Sequence, residues 1–138
     1  MARRADPAVI SIVEDDASVR EAMGNLMKAI GYQTVAFESG EAFFDSSKTV
    51  ETACLILDVR MPGMSGLDLQ RRLALSGNRT PIVFVTAHMD DDTRRQALRA
   101  GAVAFLRKPV SETDLLRAVG AALKPSAKQT PSYKIKKL

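Results

Sequence analysis

The sequence lacks a second cysteine, a long apolar stretch and an internal repeat. Its lone cysteine, Cys54, lies within an apolar run and has no partner for a disulfide, which predicts a small buried side chain in a reducing compartment. No apolar stretch approaches the roughly 18 residues that cross a bilayer. The N-terminus has no hydrophobic segment of the signal-peptide type. We therefore expect a cytoplasmic, single-domain protein that neither spans nor binds a membrane.

Positive charge is concentrated at the two ends of the chain. The formal net charge is +4, but the last fifteen residues carry five lysines and no acid. The segment between the ends has a net negative charge, so its composition does not indicate a basic surface for nucleic-acid binding. We predict a disordered N-terminal arm over residues 1–7 and a basic, linker-like tail over residues 124–138. The alternative for the tail is contact with nucleic acid or an acidic partner.

Short β-rich runs alternate five times with segments of helical periodicity. The strand candidates are residues 8–13, 32–37, 53–57, 81–85 and 103–106. The helix candidates are residues 17–30, 40–47, 66–76, 91–100 and 112–123. Several strand candidates are apolar on both faces, as parallel strands covered by helices must be. The pattern predicts an α/β fold, a (βα)5 doubly wound parallel sheet.

Glycine and serine residues at the ends of the predicted helices support these boundaries. Glycines directly follow three of the helix candidates, where a left-handed residue commonly ends a helix: Gly31, Gly77 and Gly101. Serine–aspartate pairs open two of the helix candidates and resemble capping boxes: Ser65 with Asp68, and Ser111 with Asp114.

Charged side chains stand at or just after the ends of three of the predicted strands. Glu14 and Asp15 follow the first strand, Asp58 the third, and Lys108 the fifth. Because the carboxyl ends of parallel strands share one edge, we expect these groups to meet there. Three clustered carboxylates need a neutralising cation or proton, and oxygen-only ligands suit Mg²⁺. We predict that Asp15 and Asp58 bind Mg²⁺ directly and that Glu14 orients a metal-bound water; the alternative is that these acids are helix N-caps.

Asp58 opens a turn-rich stretch, residues 58–66, which we expect to leave its carboxylate exposed on a loop. Such a carboxylate beside Mg²⁺ can attack phosphorus and form an acyl phosphate. Lys108 would offer an ammonium, and Thr86 at the end of the fourth strand a hydroxyl, to the oxygens of the transferring group.

In combination, these motifs resemble the receiver domain of bacterial two-component response regulators over residues 8–123. The acidic pair, the Asp-x-x-Met-Pro-x-Met-x-Gly loop, the Thr-Ala pair and the Lys-Pro pair occur in the family's order and spacing. The stretch from His88 to Phe105 is most similar to regulators of the FixJ/NarL type.

The resemblance implies a flavodoxin-like strand order of 2-1-3-4-5, with Asp58 as the phosphoacceptor and a sensor histidine kinase as donor. It also implies Mg²⁺ held by Asp15, Asp58 and the backbone carbonyl of Arg60, and a cis peptide bond before Pro109. In such domains phosphorylation draws the hydroxyl of Thr86 inward, and an aromatic at the position of Phe105 fills the space. The alternative is a Phe105 that packs inward in both states.

The resemblance further implies that the fourth helix, fifth strand and fifth helix form the surface that changes on phosphorylation. That surface is a candidate for a phosphorylation-dependent homodimer or for docking an acidic partner, and it carries Arg94, Arg95, Arg99 and Arg117. Arg60 and His88, two residues after Asp58 and Thr86, are predicted to tune dephosphorylation. The alternative for His88 is an ordinary exposed loop residue.

Three functions fit these residues. The leading interpretation is a signalling receiver that catalyses only its own phosphorylation and dephosphorylation and is not a turnover enzyme. The second is the regulatory half of a LuxR/FixJ-type DNA-binding transcriptional regulator whose output domain is absent from this sequence; no helix-turn-helix follows, so we expect no specific DNA binding by this chain. The third is a Mg²⁺-dependent phosphohydrolase, which typically has a second acid two residues after its nucleophile, where this chain has Arg60.

Overall fold

A computed structural model describes residues 7–124. The predicted arm and basic tail therefore lie outside the described residues, apart from Pro7 and Lys124. Within this part of the chain, no helix combines the length and apolarity needed to span a bilayer.

Five strands alternate with five helices along the chain, as predicted. The strands are β1 (Val9–Val13), β2 (Gln33–Phe37), β3 (Cys54–Leu57), β4 (Ile82–Thr86) and β5 (Ala104–Arg107). The helices are α1 (Ala17–Ile30), α2 (Gly40–Phe44), α3 (Gly66–Leu75), α4 (Asp91–Arg99) and α5 (Glu112–Leu123).

Helix α2 is shorter than the periodicity predicted. The prediction ran to residue 47, but the helix ends at Phe44 and a separate 3₁₀ turn covers Ser47–Thr49. Ser46 explains the break because its hydroxyl donates to the carbonyl of Phe43 at 2.7 Å and accepts from the N–H of Lys48 at 3.1 Å. These local bonds compete with continued α-helical bonding.

The five strands form one parallel sheet in the order β2-β1-β3-β4-β5, which confirms the predicted flavodoxin-like topology. Alternate residues of the central strand β3 face opposite layers. Cys54 and Ile56 join the core under α1 and α5, whereas Leu55 and Leu57 join the core under α2, α3 and α4. All four side chains are fully buried, as the doubly apolar pattern predicted.

The predicted helix ends are confirmed in most details. Gly31, Gly77 and Gly101 all have positive φ. Ser65 and Asp68 form a reciprocal capping box, whereas at α5 only the serine half forms, with the hydroxyl of Ser111 accepting from the N–H of Asp114.

Candidate functional site

The hydrogen bonds of the sheet continue one residue beyond the strands and bring the predicted site residues together. The N–H of Asp58 donates to the carbonyl of Val13 at 3.1 Å, which places Asp58 next to Glu14. The N–H of Lys108 donates to the carbonyl of Thr86 at 2.8 Å. The charged residues thus follow their strands in register, and their side chains leave the sheet at one carboxyl edge.

Lys108 links the two buried carboxylates of this edge. Its Nζ lies 2.7 Å from Oε1 of Glu14 and donates a hydrogen bond of 3.1 Å to Oδ2 of Asp58. Burial alone would lower the pKa of Lys108, but its bond to Glu14 and the charge of Asp58 outweigh burial and raise that pKa above its ordinary value. The ammonium therefore stays charged at neutral pH.

The expected exposure of the Asp58 carboxylate is wrong. Asp58 does lie on a loop, but only 7% of its side chain is exposed. The loop folds back at Gly66, whose N–H donates to the carbonyl of Val59 at 2.8 Å. A Cβ at Gly66 would lie 2.2 Å from the carbonyl oxygen of Asp58, so only glycine permits this return. The turn-rich composition predicted a loop, but it did not predict that the loop would fold over Asp58 and bury its side chain.

Glu14 is the most deeply buried carboxylate of the site, with 1% of its side chain exposed. Burial raises the pKa of Glu14 above 4.5, the charge of Asp58 raises it further, and the bonds from Lys108 and the N–H of Asp16 only partly offset this. Oε1 of Glu14 lies 2.7 Å from the ammonium of Lys108, which is the cation that faces this buried oxygen. The single ammonium of Lys108 is shared between Glu14 and Asp58, so it does not neutralise both carboxylates.

The acidic residues form a cluster that fits a metal ion. Oxygen atoms of Glu14, Asp15 and Asp58 lie within 4.8 Å of one another, with Asp15 exposed and the other two buried. Three carboxylates face one ammonium, and all the side-chain donors are oxygens, which hard divalent cations prefer. The donor set and the excess of carboxylates over ammonium groups therefore both fit a divalent cation.

Two side chains hold the turn between β1 and α1, one from the N-cap of α1 and one from its first turns. Asp16 is the N-cap and accepts from the N–H groups of Ser18 and Val19. Arg20 donates to the carbonyls of Glu14 at 2.8 Å and Asp15 at 3.4 Å. Asp16 is therefore the N-cap of α1, and the N-cap alternative is wrong for Glu14 and Asp15. Sequence reasoning missed Arg20, and no motif marks it, because its role depends on the path of the turn.

Thr86 and the remaining predicted site residues lie around the same edge. Thr86 is fully buried at the end of β4, and its Oγ1 accepts from the N–H of His88 at 3.1 Å, which leaves the hydroxyl proton free to donate. His88 and Arg60 are both exposed on the loops that follow β4 and β3. The peptide bond between Lys108 and Pro109 is cis.

Phe105 packs inward from β5. It is 8% exposed, and its ring centroid lies 5.7 Å from that of Phe84. On the adjacent surface, two of the four predicted arginines pair with acids of their own helices, Arg95 with Asp92 at 3.2 Å and Arg117 with Asp114 at 3.8 Å. The positive charge of this surface is therefore partly neutralised. Arg94 and Arg99 are exposed on α4.

Comparisons with known proteins agree with this architecture. The family model for the response regulator receiver domain matches residues 10–120. The response regulator protein TmoT of Ectopseudomonas mendocina is 46% identical over 122 residues, which are 88% of this chain and 56% of TmoT. The transcriptional regulatory protein FixJ of Azorhizobium caulinodans is 34% identical over 120 residues, which are 87% of this chain and 57% of FixJ.

A solved structure gives the same result. The crystal structure of a response regulator receiver protein from Burkholderia phymatum is 40% identical, has a TM-score of 0.74, and covers 86% of this chain and 97% of its own. The chain spans a little over half the length of each of these two curated relatives. The order of its motifs, its sheet topology and these similarities lead to one conclusion: the chain belongs to the response regulator receiver domains of two-component systems.

Proposed function

We propose that Asp58 accepts a phosphoryl group from a phosphohistidine of a sensor histidine kinase. An oxygen of the Asp58 carboxylate forms a bond to phosphorus as the phosphorus–nitrogen bond breaks, and the departing imidazole takes up a proton. The observation that carries the proposal is the direct contact of Asp58 with Lys108, beside Glu14 and Asp15, at the carboxyl edge of the sheet. Receiver domains of this family are phosphorylated by sensor histidine kinases.

Lys108 would stabilise the charge that develops during transfer. Its ammonium is already fixed by Glu14 and Asp58, so little reorganisation is needed when phosphoryl oxygens arrive. The free hydroxyl proton of Thr86 would serve as a second donor to those oxygens. Both groups lie on strand ends, which hold them more firmly than flexible loops would.

Asp15 and Asp58, with the backbone carbonyl of Arg60, would hold a Mg²⁺ ion, and Glu14 would orient one of its waters. When bound, Mg²⁺ supplies positive charge that shields the carboxylates from an incoming anionic phosphoryl group. The close grouping of the three carboxylates, with one ammonium between two of them, supports this assignment.

Phosphorylation would then change the surface formed by α4, β5 and α5. Inward movement of Thr86 and filling of its space by Phe105 would link the site to that surface, which we propose as the face for a homodimer or an acidic partner. Arg60 and His88 would modulate the lifetime of the acyl phosphate, because both are exposed on loops that begin at the site. Residues 8–123 would be the working unit, catalysing only its own phosphorylation and dephosphorylation.

The decisive experiment is intact-protein mass spectrometry after incubation with phosphoramidate, with and without Mg²⁺. We expect the wild type to gain one phosphoryl group only with Mg²⁺, and Asp58→Ala to gain none. Asp45→Ala, which removes an exposed carboxylate at the end of α2, is the matched control and should behave as wild type. An unmodified wild type, or a modified Asp58→Ala variant, would contradict the proposal.

A second candidate function is the regulatory part of a longer transcriptional regulator, localised with its kinase in the cytoplasm. The name of the FixJ relative, and the share of that relative which this chain spans, favour it. Phosphorylation-dependent binding of an added DNA-binding domain of such a relative to this chain would support this function. Phosphorylation with no effect on such a domain would favour a stand-alone receiver.

A further inference from the structure

The first turn of α2 contacts the loop that carries the proposed phosphoacceptor. This β3–α3 loop, residues 58–65, begins at Asp58 and contains Arg60. Helix α2 follows the edge strand β2 and has no strand end of its own beside Asp58. Its contact with the loop is therefore separate from the cluster of charges already described.

Glu41 makes the polar part of this contact. Its Oε2 accepts a hydrogen bond of 3.0 Å from the N–H of Met64. The same oxygen occupies the space beside Gly63, where a Cβ would lie only 2.6 Å away. Gly63 also has a φ of +77°, a conformation that favours glycine. The backbone of Gly63 and Met64 is thus shaped around the carboxylate of Glu41.

The side chain of Met64 makes the apolar part. Its Sδ lies 3.2 Å from the position that a Cβ would take on Gly40, the first residue of α2. The lack of a side chain at Gly40 therefore lets the helix approach the loop closely. Consecutive residues of α2 hold both the backbone and the side chain of Met64.

This contact lies where the loop has few other restraints. The N–H of Asp58 is held by β1, and the carbonyl of Val59 accepts from Gly66. Among residues 7–124, the backbone N–H groups of residues 60, 61 and 63 donate no hydrogen bond within the protein, and Pro62 has no N–H. The hydrogen bond from Met64 to Glu41 is therefore the first one after Val59 along the loop. It restrains the segment between these two residues, which includes the carbonyl of Arg60.

We propose that Glu41 is a positioning residue that holds the β3–α3 loop in the shape required for metal binding and phosphoryl transfer at Asp58. Glu41 acts through the backbone of Met64 and touches no reacting atom. This inference rests on the proposed function, in which the backbone carbonyl of Arg60 is a ligand of the metal. It gives α2, a helix outside the site, a part in setting the site's geometry.

The test compares Glu41→Ala with Glu41→Gln, using Glu38→Ala as the control. A glutamine keeps a side-chain oxygen that can accept from Met64, whereas alanine removes the acceptor. Glu38 is an exposed acid three residues earlier, so its removal reproduces the change in net charge. The readouts are the amide hydrogen exchange of Met64 by NMR and the Mg²⁺ dissociation constant by calorimetry.

We expect Glu41→Ala to speed exchange of the Met64 amide roughly five-fold, as loss of one hydrogen bond predicts, and to weaken Mg²⁺ binding by a similar factor. Glu41→Gln should restore most of both values, and Glu38→Ala should change neither. Unaltered exchange in Glu41→Ala, or an equal effect in Glu38→Ala, would overturn the inference.

Neither readout requires phosphoryl transfer, so the two proposals fail separately. If the wild type binds Mg²⁺ but is not phosphorylated, the proposed function fails while the role of Glu41 is still decided. If the wild type does not bind Mg²⁺, the role of Glu41 at the metal is overturned whatever the exchange of Met64 shows.

Discussion

Helices α1 and α4 both begin at the carboxyl edge of the sheet, beside the proposed site, but they are attached to it differently. Helix α1 has fourteen residues and buries Met23, Gly24 and Met27. Helix α4 has nine residues and buries only Ala97. The burial of apolar side chains is the main stabilising contribution to a packed helix, so α1 is held far more strongly.

The N-terminus of α1 is also capped more completely than that of α4. Asp16 caps α1 through two backbone N–H groups, whereas Asp90 at the start of α4 forms no such bond and accepts instead from the hydroxyl of Thr93. Near its C-terminal end, α4 is tied to α3 by a buried hydrogen bond of 3.0 Å from Nε2 of Gln70 to the carbonyl of Ala97.

This difference separates two tasks within one site. The side of α1 carries Glu14 and Asp15 and must hold their charges in fixed positions. The side of α4 adjoins Thr86 and Phe105 and buries fewer side chains, which suits the two-state role proposed for this surface. The comparison predicts that equal chemical changes in the two helices will have unequal effects on stability.

The largest expected effect is in the core under α1. Met27→Ala removes a fully buried side chain and should lower the free energy of unfolding by about 2–5 kcal/mol. Leu98→Ala in α4 removes a partly buried side chain and should cost less than half of that value. Urea denaturation of both variants measures the difference. Equal losses would show that α4 is anchored as firmly as α1.

A smaller effect is expected at the helix caps. Asp16→Ala removes the acceptor of two backbone N–H groups and should cost about 1 kcal/mol. Asp90→Ala removes a charge near the N-terminus of α4 but no bond to its backbone, and should cost less than Asp16→Ala does. Thermal unfolding in metal-free buffer compares the two. A greater loss for Asp90→Ala would reverse the assignment of the weaker cap.

The last prediction concerns the pH dependence of stability on the side of α1. Burial raises the pKa of Glu14 in the folded protein above 4.5, so the folded state binds the proton more tightly than the unfolded state does. The stabilisation that this proton provides is present below pH 4.5 and is lost as pH rises through the folded pKa. At neutral pH, the ionised Glu14 therefore opposes folding.

Glu14→Gln should accordingly raise the free energy of unfolding at pH 7 in metal-free buffer, and the gain should shrink as pH falls toward 4.5. Urea denaturation across this range, with Glu21→Gln on the exposed face of α1 as control, measures it. A gain that is independent of pH, or a loss at pH 7, would show that the ion pair with Lys108 outweighs the cost of burial.

Much of the fold follows from local patterns. Apolar runs, helical periodicity and the glycines and serines at helix ends predicted the order and type of all ten main elements, because each of these signals acts over a few residues. The motif residues Asp58, Thr86 and Lys108 were placed at strand ends for the same reason. Where a local signal was weak, as at Ser46, the predicted end of α2 was wrong.

Contacts between distant parts of the chain required the tertiary structure. The burial of Asp58 depends on the return of its loop at Gly66 and on Lys108, 50 residues further along the chain. The bond from Met64 to Glu41 joins residues 23 positions apart, and that from Gln70 to Ala97 joins residues 27 apart. Residue types and spacing alone determined which groups occur at the edge of the sheet. Which of them are buried, paired or restrained was decided only when packing of the helices brought distant segments together, because desolvation and hydrogen bonding depend on spatial neighbours.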